Sequence, residues 1–455
     1  MSGILYSSTN LKADKVTFEE ALLKGLAPDG GLYMPNQIPQ FTKEEIASLS
    51  NKKYHEIAFE VIAKFLGDTL PKEKLASMTK EAYNFDVPLE NVYEKKYIMR
   101  LDQGPTASFK DFAARMMGQL MQYYLEKEGE NLLILTATSG DTGSAMANAF
   151  YSLHNIKVAV LFPKTEVTDR QRKQMTTLHD NIQVIAIDGK FDDCQALVKQ
   201  AFNDPELDYL KLSSANSINI GRLLPQAVYY IYAYSRLCKI ENGDKIIFSV
   251  PSGNFGDLMG GLLAKEMGLP VEKFVVATNE NDEVPVYFTS GNYKTIVPSR
   301  NCISSAMNVG HPSNMARIVA LYGGVMNADG EILQKPDLEK MKEDMFAISI
   351  DDEKTKSTIK RIYDRHKVLI EPHGSVGWEG LCQYFNQVPE AGKSDQVSVC
   401  LETAHPAKFP EEIEHVLGIN PELPPSLSGL ETKEEQFDRL KNVYKNFKKY
   451  LIEKY

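Results

Sequence analysis

"LLILTATSGDTGSAMANAFYSL", residues 132–153, decides the reading of the fold. Leu132 to Thr138 is a near-continuous apolar run, "SGDTG" is a glycine-bearing loop, and "SAMANAFYSL" has helical spacing. The same grammar returns along the chain. "VAVLFP" precedes the polar, helix-like "TDRQRKQM", and "IQVIAIDG" precedes "DDCQALVKQAF". "KIIFSV" (Lys245 to Val250) leads through "PSGNFGD" into "LMGGLLAKEMG", while "KFVVATN" and "QVSVCLETAHP" add further short strand candidates. Runs of Val, Ile and Leu alternating with helices are what a parallel sheet covered on both faces requires. Short, right-handed crossovers then predict a doubly wound α/β fold.

The flanks read differently. Residues 1–95 carry "VTFEEALLKGLAPDGGLYMP", a helix ended by Gly25 and a Pro/Asp/Gly-Gly turn, followed by helical patterns through Phe65 and Tyr83. This predicts a mostly helical N-terminal domain ahead of an α/β region at 96–410. In 411–455 the Pro-rich "NPELPPSLSGL" connects to a terminal segment in which Phe437, Leu440, Tyr444, Phe447 and Leu451 recur at spacings of three and four. That spacing predicts one amphipathic helix packed on the body.

Bulk properties exclude several functions. The formal net charge of −10 over 455 residues leaves no nucleic-acid footprint. Five cysteines lie far apart without a CxxC pair, which argues against a disulfide framework or a zinc site. "MSGILYSSTN" lacks the charge-then-apolar pattern of a secretory signal, and no apolar run reaches membrane-spanning length. A soluble, cytoplasmic protein acting on small molecules is expected.

Loops at strand ends are where such sheets bind ligands. In "PSGNFGD", Gly253 and Gly256 let backbone approach closely, and N–H groups at a helix start can cradle a phosphate. An ordinary glycine-bearing turn explains the stretch equally well, and Asp257 is expected to turn away and cap the helix. In "TSGDTGSA" the hydroxyls of Ser139, Thr142 and Ser144 suit a carboxylate, although a plain N-cap would look the same. "NSINIGR" sets Asn216 and Ser217 ahead of Arg222, the natural fork for a phosphate or carboxylate. "GPTASFKDFAARMM" (104–117) places Lys110 at a helix start, where Asp111 is favoured and a cation is not. Three anion-suited loops and a misplaced lysine together fit a cofactor carrying both a phosphate and an aldehyde, as pyridoxal phosphate does.

These motifs carry a resemblance. From "GLAPDGGLYMP" through "GPTASFKDFAARMM", "TSGDTGSA", "GKFDDCQALVK", "ANSINIGRLLPQ", "PSGNFGD" and "EPHGSVG" to "TAHPAKFP", the chain resembles the threonine synthase family over nearly its whole length to about Pro410. "SNMAR" (313–317) and "INIGR" depart from the family's pattern and are read as packing changes. The resemblance implies a two-lobed, tryptophan-synthase-β-like pyridoxal-phosphate fold with Lys110 as the Schiff-base lysine. It implies a cofactor-binding set of Gly253, Asn254, Phe255, Gly256 and Asp257, with Thr403 at the pyridine nitrogen. It also implies that Ser139, Asp141 and Thr142 hold the substrate carboxylate, and that Asn216, Ser217 and Arg222 hold its phosphate. The implied reaction turns O-phospho-L-homoserine and water into L-threonine and phosphate by γ-elimination and β-hydration. No metal, nucleic acid or membrane is involved, and the implied state is a monomer or homodimer. His373 and His405 are read as structural. The rival readings are a serine/threonine dehydratase of the same fold, which needs no phosphate-suited Asn/Ser/Arg cluster, and a non-enzymatic binding protein.

Overall fold

The structure, a computed structural model, describes residues 3–138, 140–165, 167–393 and 396–455. Eleven strands in chain order build its two principal sheets. They are β1 (Leu89–Tyr93), β2 (Lys96–Arg100), β3 (Leu132–Ala137), β4 (Ile156–Pro163), β5 (Ile182–Asp188) and β6 (Leu212–Ser213). After these come β7 (Ile246–Pro251), β8 (Val271–Thr278), β9 (Met345–Ser349), β10 (Val397–Glu402) and β11 (Asp438–Lys441). The larger sheet has the order β9-β8-β7-β10-β2-β1 and is parallel except at the β1–β2 hairpin. The smaller has the order β11-β5-β4-β3-β6 and is parallel throughout.

Every residue of β3 and of β7 is buried, so both are covered on both faces, as their apolar runs require. The large sheet begins at Leu89, inside the stretch read as the helical N-terminal domain. Ahead of it stand the helices Phe18–Lys24, Tyr54–Leu66 and Lys72–Ala82 and a small antiparallel pair, Tyr6–Ser8 with Tyr33–Pro35. Thr17 and Glu20 form a capping box at the first helix, and Gly25 ends it at φ 74°.

Six further helices matter for the site or its support. They are α1 (Lys110–Glu128), α2 (Asp141–Phe150), α3 (Asp169–Thr176), α4 (Phe191–Phe202), α5 (Gly256–Glu266) and α6 (Tyr444–Lys454). The single terminal helix expected from Phe437 onward is corrected. Asp438–Lys441 is a strand, β11, paired parallel to β5, and the helix starts only at Tyr444. Phe447 and Leu451 bury in the smaller sheet's apolar cluster with Cys194, Leu197 and Ala201 of α4. The open edge of β5 is thereby covered, which removes a row of unpaired backbone groups. Among the described residues no helix is long and apolar enough to cross a membrane, and no disulfide joins any of the five cysteines.

Candidate active site

Lys110 opens α1 behind a turn that its own sequence forces. Thr106 donates its N–H to Asp111 Oδ2 (2.9 Å) and its hydroxyl to Asp111 Oδ1 (2.6 Å), folding the turn onto the helix start. Gly104 allows this, since a Cβ there would lie 2.4 Å from Asp111 Oδ2. Ala107 takes a left-handed φ of 54°, uncommon for a residue with a Cβ. The twist lets Phe109 N–H donate to Thr403 O (2.9 Å) while His405 N–H donates to Ala107 O (3.0 Å). The lysine turn is thus stitched to the segment leaving β10. Thr403 is buried, and its hydroxyl makes no hydrogen bond among the described residues.

The Lys110 Nζ lies 4.7 Å from the centre of the Phe109 ring and has no hydrogen bond or ion pair among the described residues. Desolvation lowers its pKa; Arg222 and Lys408 push the same way, against Asp141 and Asp257. Those four partners come from the loops after β6, β10, β3 and β7. One amine is therefore the meeting point of both sheets' C-terminal ends, the crevice where α/β sheets bind ligands.

After β7, Phe255 is the N-cap of α5 at φ 60° and contributes no side-chain cap. No protein acceptor among the described residues takes the backbone N–H groups of Gly253, Asn254, Phe255 and Gly256. A Cβ on Gly256 would meet Asn314 Nδ2, Gln226 Nε2 and the Ser217 Cβ, each at 3.5 Å, so the loop fronts a polar space. A run of free amides at a helix start is an anion cradle. Phe255, not Asp257, holds the N-cap position, but Asp257 Oδ1 accepts from the first-turn amide of Leu258 (2.8 Å), so the acid does satisfy one of the helix's orphan donors. Burial pushes the Asp257 carboxyl up to about 6.

That shift gives a first prediction. The folded pKa exceeds the usual 3.8, so the stability contributed by protonated Asp257 is complete below about pH 4 and lost as pH rises through about 6. Asp257→Asn should stabilise the cofactor-free protein on the order of 2 kcal/mol at pH 8 and leave it unchanged near pH 4. Denaturant melts of both proteins across that range check it.

After β3, Thr138 Oγ1 accepts from Gly140 N–H (2.9 Å) and Gly143 N–H (2.7 Å), which leaves the Asp141 and Thr142 amides free of protein acceptors among the described residues. Ser139 lies outside the described residues. Asp141 is engaged: Lys408 Nζ approaches Oδ1 at 2.6 Å and Gln171 Nε2 donates to the same oxygen at 2.9 Å. Burial opposes its ionisation, but the Lys408 and Lys110 cations and these hydrogen bonds outweigh that and hold it well below the usual carboxylate range. Lys408 is fully buried and also donates to Thr106 O (2.9 Å). Breaking a buried pair of this kind costs about 3–5 kcal/mol.

After β6, Arg222 is buried without a carboxylate. Its Nη1 donates to Ala215 O (2.7 Å) and lies 3.6 Å from Met146 Sδ, while its Nε has no partner. Burial pushes the guanidinium down to about 10. Thr136 donates its hydroxyl to Asn216 Oδ1, and neither Asn216 Nδ2 nor the Ser217 hydroxyl has a partner among the described residues. Arg317, fully buried, donates to Ser217 O (2.8 Å), Ile218 O (2.6 Å), Asn314 Oδ1 (2.7 Å) and Tyr33 O (3.2 Å). It pins the Asn216–Ile218 loop to the N-terminal domain, while Asn314 Nδ2 donates to Asn254 O (3.0 Å).

The two histidines are structural. Ala306 N–H donates to His373 Nε2 (3.0 Å), so Nδ1 carries the proton and donates to Glu371 Oε2 (2.5 Å). This supports the cradle from behind, because a Cβ on Gly253 would sit 3.0 Å from Ala306 O. Burial, with Arg100 and Lys408, lowers His405 to about 4. Lys408, Gln171 and Arg317 are the residues that sequence reasoning missed. Lys408 stood inside the quoted "TAHPAKFP", but nothing local to it revealed its distant partner.

The arrangement fits pyridoxal phosphate: a free amine of lowered pKa, a run of unpaired amides for a phosphate, and a hydroxyl without a partner beside them. The chain matches three family models, "Threonine synthase N terminus" over residues 5–83, "Pyridoxal-phosphate dependent enzyme" over 87–401 and "Threonine synthase, C-terminal" over 380–451. It is 40% identical over 442 residues to the threonine synthase of Haemophilus influenzae, covering 96% of this chain and 97% of that one. A PLP-bound threonine synthase from Brucella melitensis superposes with a TM-score of 0.91 at 36% identity, covering 99% of both chains. The threonine synthase of Escherichia coli superposes at 0.87 with 35% identity, covering 99% of this chain and all of that one.

Proposed function

We propose that this chain, which belongs to the threonine synthase family, converts O-phospho-L-homoserine and water into L-threonine and phosphate with pyridoxal 5'-phosphate as its cofactor. One observation carries the reading: two separate places for anions flank one unpaired amine. The amides from Gly253 to Gly256 suit the cofactor's phosphate, and buried Arg222, with an orphaned Nε, suits a second one. A dehydratase acting on serine or threonine would use the first and leave the second without purpose.

Bound pyridoxal phosphate supplies the electron withdrawal that makes the Cα and Cβ protons removable and lets the γ-phosphate leave. Lys110 would hold the cofactor and, with its amine free, would take the proton at Cα. Burial lowers its pKa, which favours its use as a base. The Asp141 and Thr142 amides hold the substrate carboxylate, with the Asp141 side chain fixing the loop through Lys408 and Gln171. Asn216, Ser217 and Arg222 hold the γ-phosphate, so binding energy far from Cα orients Cα toward Lys110. Thr403 would offer the pyridine nitrogen a hydroxyl without adding charge. We place the enzyme in the cytoplasm.

Thr403→Asp should bind cofactor with a shifted visible band and lose turnover roughly tenfold or more, since a carboxylate would protonate the ring. A wild-type spectrum and rate in that variant would remove Thr403 from the ring. The function itself is tested by supplying O-phospho-L-homoserine and measuring threonine and phosphate, which should appear in equal amounts. Ammonia and keto acid from L-threonine, with no phosphate release from O-phospho-L-homoserine, would establish the dehydratase instead.

A further inference from the structure

The C-terminal segment does more than close a sheet edge. Glu435 accepts from Arg172 Nε (2.8 Å) and Nη2 (3.0 Å) as a fork and from the Thr176 hydroxyl (2.7 Å). Gln436 N–H donates to Thr176 O (2.7 Å), and Lys173 Nζ donates to Glu431 O (3.0 Å). These contacts all fall on one side of α3. Residues one turn apart share a helix face, and the other side of α3 carries Gln171 and Gln174. Gln171 donates to Asp141 and lies against Gly140, where a Cβ would meet its Cδ at 2.5 Å. Ser144 donates its hydroxyl to Gln171 O (3.1 Å), and Gln174 Nε2 donates to Thr106 O (3.1 Å) in the lysine turn. Arg170 reaches across to Ala407 O beside Lys408. The helix therefore lies between the C-terminal segment and three of the site's loops.

That segment is itself anchored. Asp438 of β11 accepts from Gln183 Nε2 (2.9 Å) and from the Tyr450 hydroxyl (2.7 Å), and Tyr444 and Lys448 of α6 reach Asp204 at 2.7 and 2.8 Å. One clamp thus runs from the terminal helix, anchored by buried Phe447 and Leu451, through residues 431–436, to α3 and on to the Gly140–Ser144 loop.

We propose that this clamp sets the position of the Gly140–Ser144 anion loop relative to Lys110, with Glu435 as its positioning residue. The proposal rests on O-phospho-L-homoserine being the substrate whose carboxylate that loop receives. Glu435 is partly exposed and touches none of the reacting groups, so its variants test position without emptying the site.

In the holoenzyme, Glu435→Ala should raise KM for O-phospho-L-homoserine about tenfold while kcat falls less than about twofold, because the carboxylate loop leans on α3 through Gln171 and Ser144, whereas the lysine turn keeps its own Thr106–Asp111 and Phe109–Thr403 bonds. Glu435→Gln, which keeps the Thr176 contact and loses the charged fork, should fall between Ala and wild type. Hydrogen exchange of the substrate-free holoenzyme gives a readout independent of turnover. The amides of Gly140, Gly143 and Ser144 should exchange about tenfold faster in Glu435→Ala, with those of Asn254 to Asp257 unchanged. Wild-type exchange at the three amides, or equal acceleration at both loops with kcat lost as much as KM, would overturn the proposal. If the wild-type chain does not turn over O-phospho-L-homoserine, the substrate reading fails, and the exchange comparison still decides the clamp.

Discussion

Lys110→Ala is expected to fold and to lose turnover by at least about 10³-fold, since one group both holds the cofactor and moves the Cα proton. Folding should survive because Nζ contributes no hydrogen bond or ion pair among the described residues. Asp141 keeps Lys408 as its cation when Lys110 is gone. On the proposed roles, the site separates the amine that reacts, Lys110, from the amine that braces, Lys408, and only the first is dispensable to the fold. Borohydride treatment of the wild type should leave the pyridoxyl mass on the peptide carrying Lys110. The same mass on any other lysine would remove Lys110 from its role.

Arg222→Ala is expected to be the second most damaging change. Losing a charge-assisted partner of the substrate's phosphate costs roughly 1.5–3 kcal/mol, or about ten- to a hundredfold in kcat/KM, and more where the phosphate also orients Cα. The free enzyme should keep its stability, because the variant sheds a buried charge that holds only the Ala215 carbonyl and a Met146 contact. Inorganic phosphate should compete well in the wild type and poorly in the variant. Arg222→Lys should recover part of the loss, as it restores charge without the planar fork. Cofactor absorbance should stay the same in both, since the proposed seat of the cofactor's phosphate is the separate run of amides from Gly253 to Gly256. A variant that lost cofactor and kept its KM would reverse the assignment of the two anion places.

How much of this the sequence disclosed follows from the range of the forces involved. The buried strands were legible because burial on both faces writes itself into consecutive residues, as in Leu132–Ala137 and Ile246–Pro251. The anion loops were legible because glycine and hydroxyl residues cluster wherever backbone must approach a ligand. Lys110 stood out by offending a local rule at a helix start.

Contacts between distant residues were not legible. Lys408 looks like an ordinary surface charge, and Asp141, placed in the substrate set, gave no sign of its cation until the fold buries the two together. Gln171 looked like one polar residue among many in "TDRQRKQM", although its amide braces Asp141. Arg317 has four acceptors, three of them main-chain carbonyls, which no pattern of side chains can reveal. The C-terminal segment misled for a different reason. Phe437 and Leu440 fit the helical period that continues through Leu451, but the unpaired edge of β5 recruits Asp438–Lys441 as a strand. Tertiary pairing overrode a local period, and with it came the contacts that hold α3.

The most direct test of the central claim is turnover of O-phospho-L-homoserine in water enriched in oxygen-18. If the chain breaks the Cγ–O bond and adds water at Cβ, threonine should carry one heavy oxygen in its hydroxyl while the released phosphate carries none. Heavy oxygen in the phosphate, with homoserine as the other product, would mean hydrolysis at phosphorus and would contradict the account.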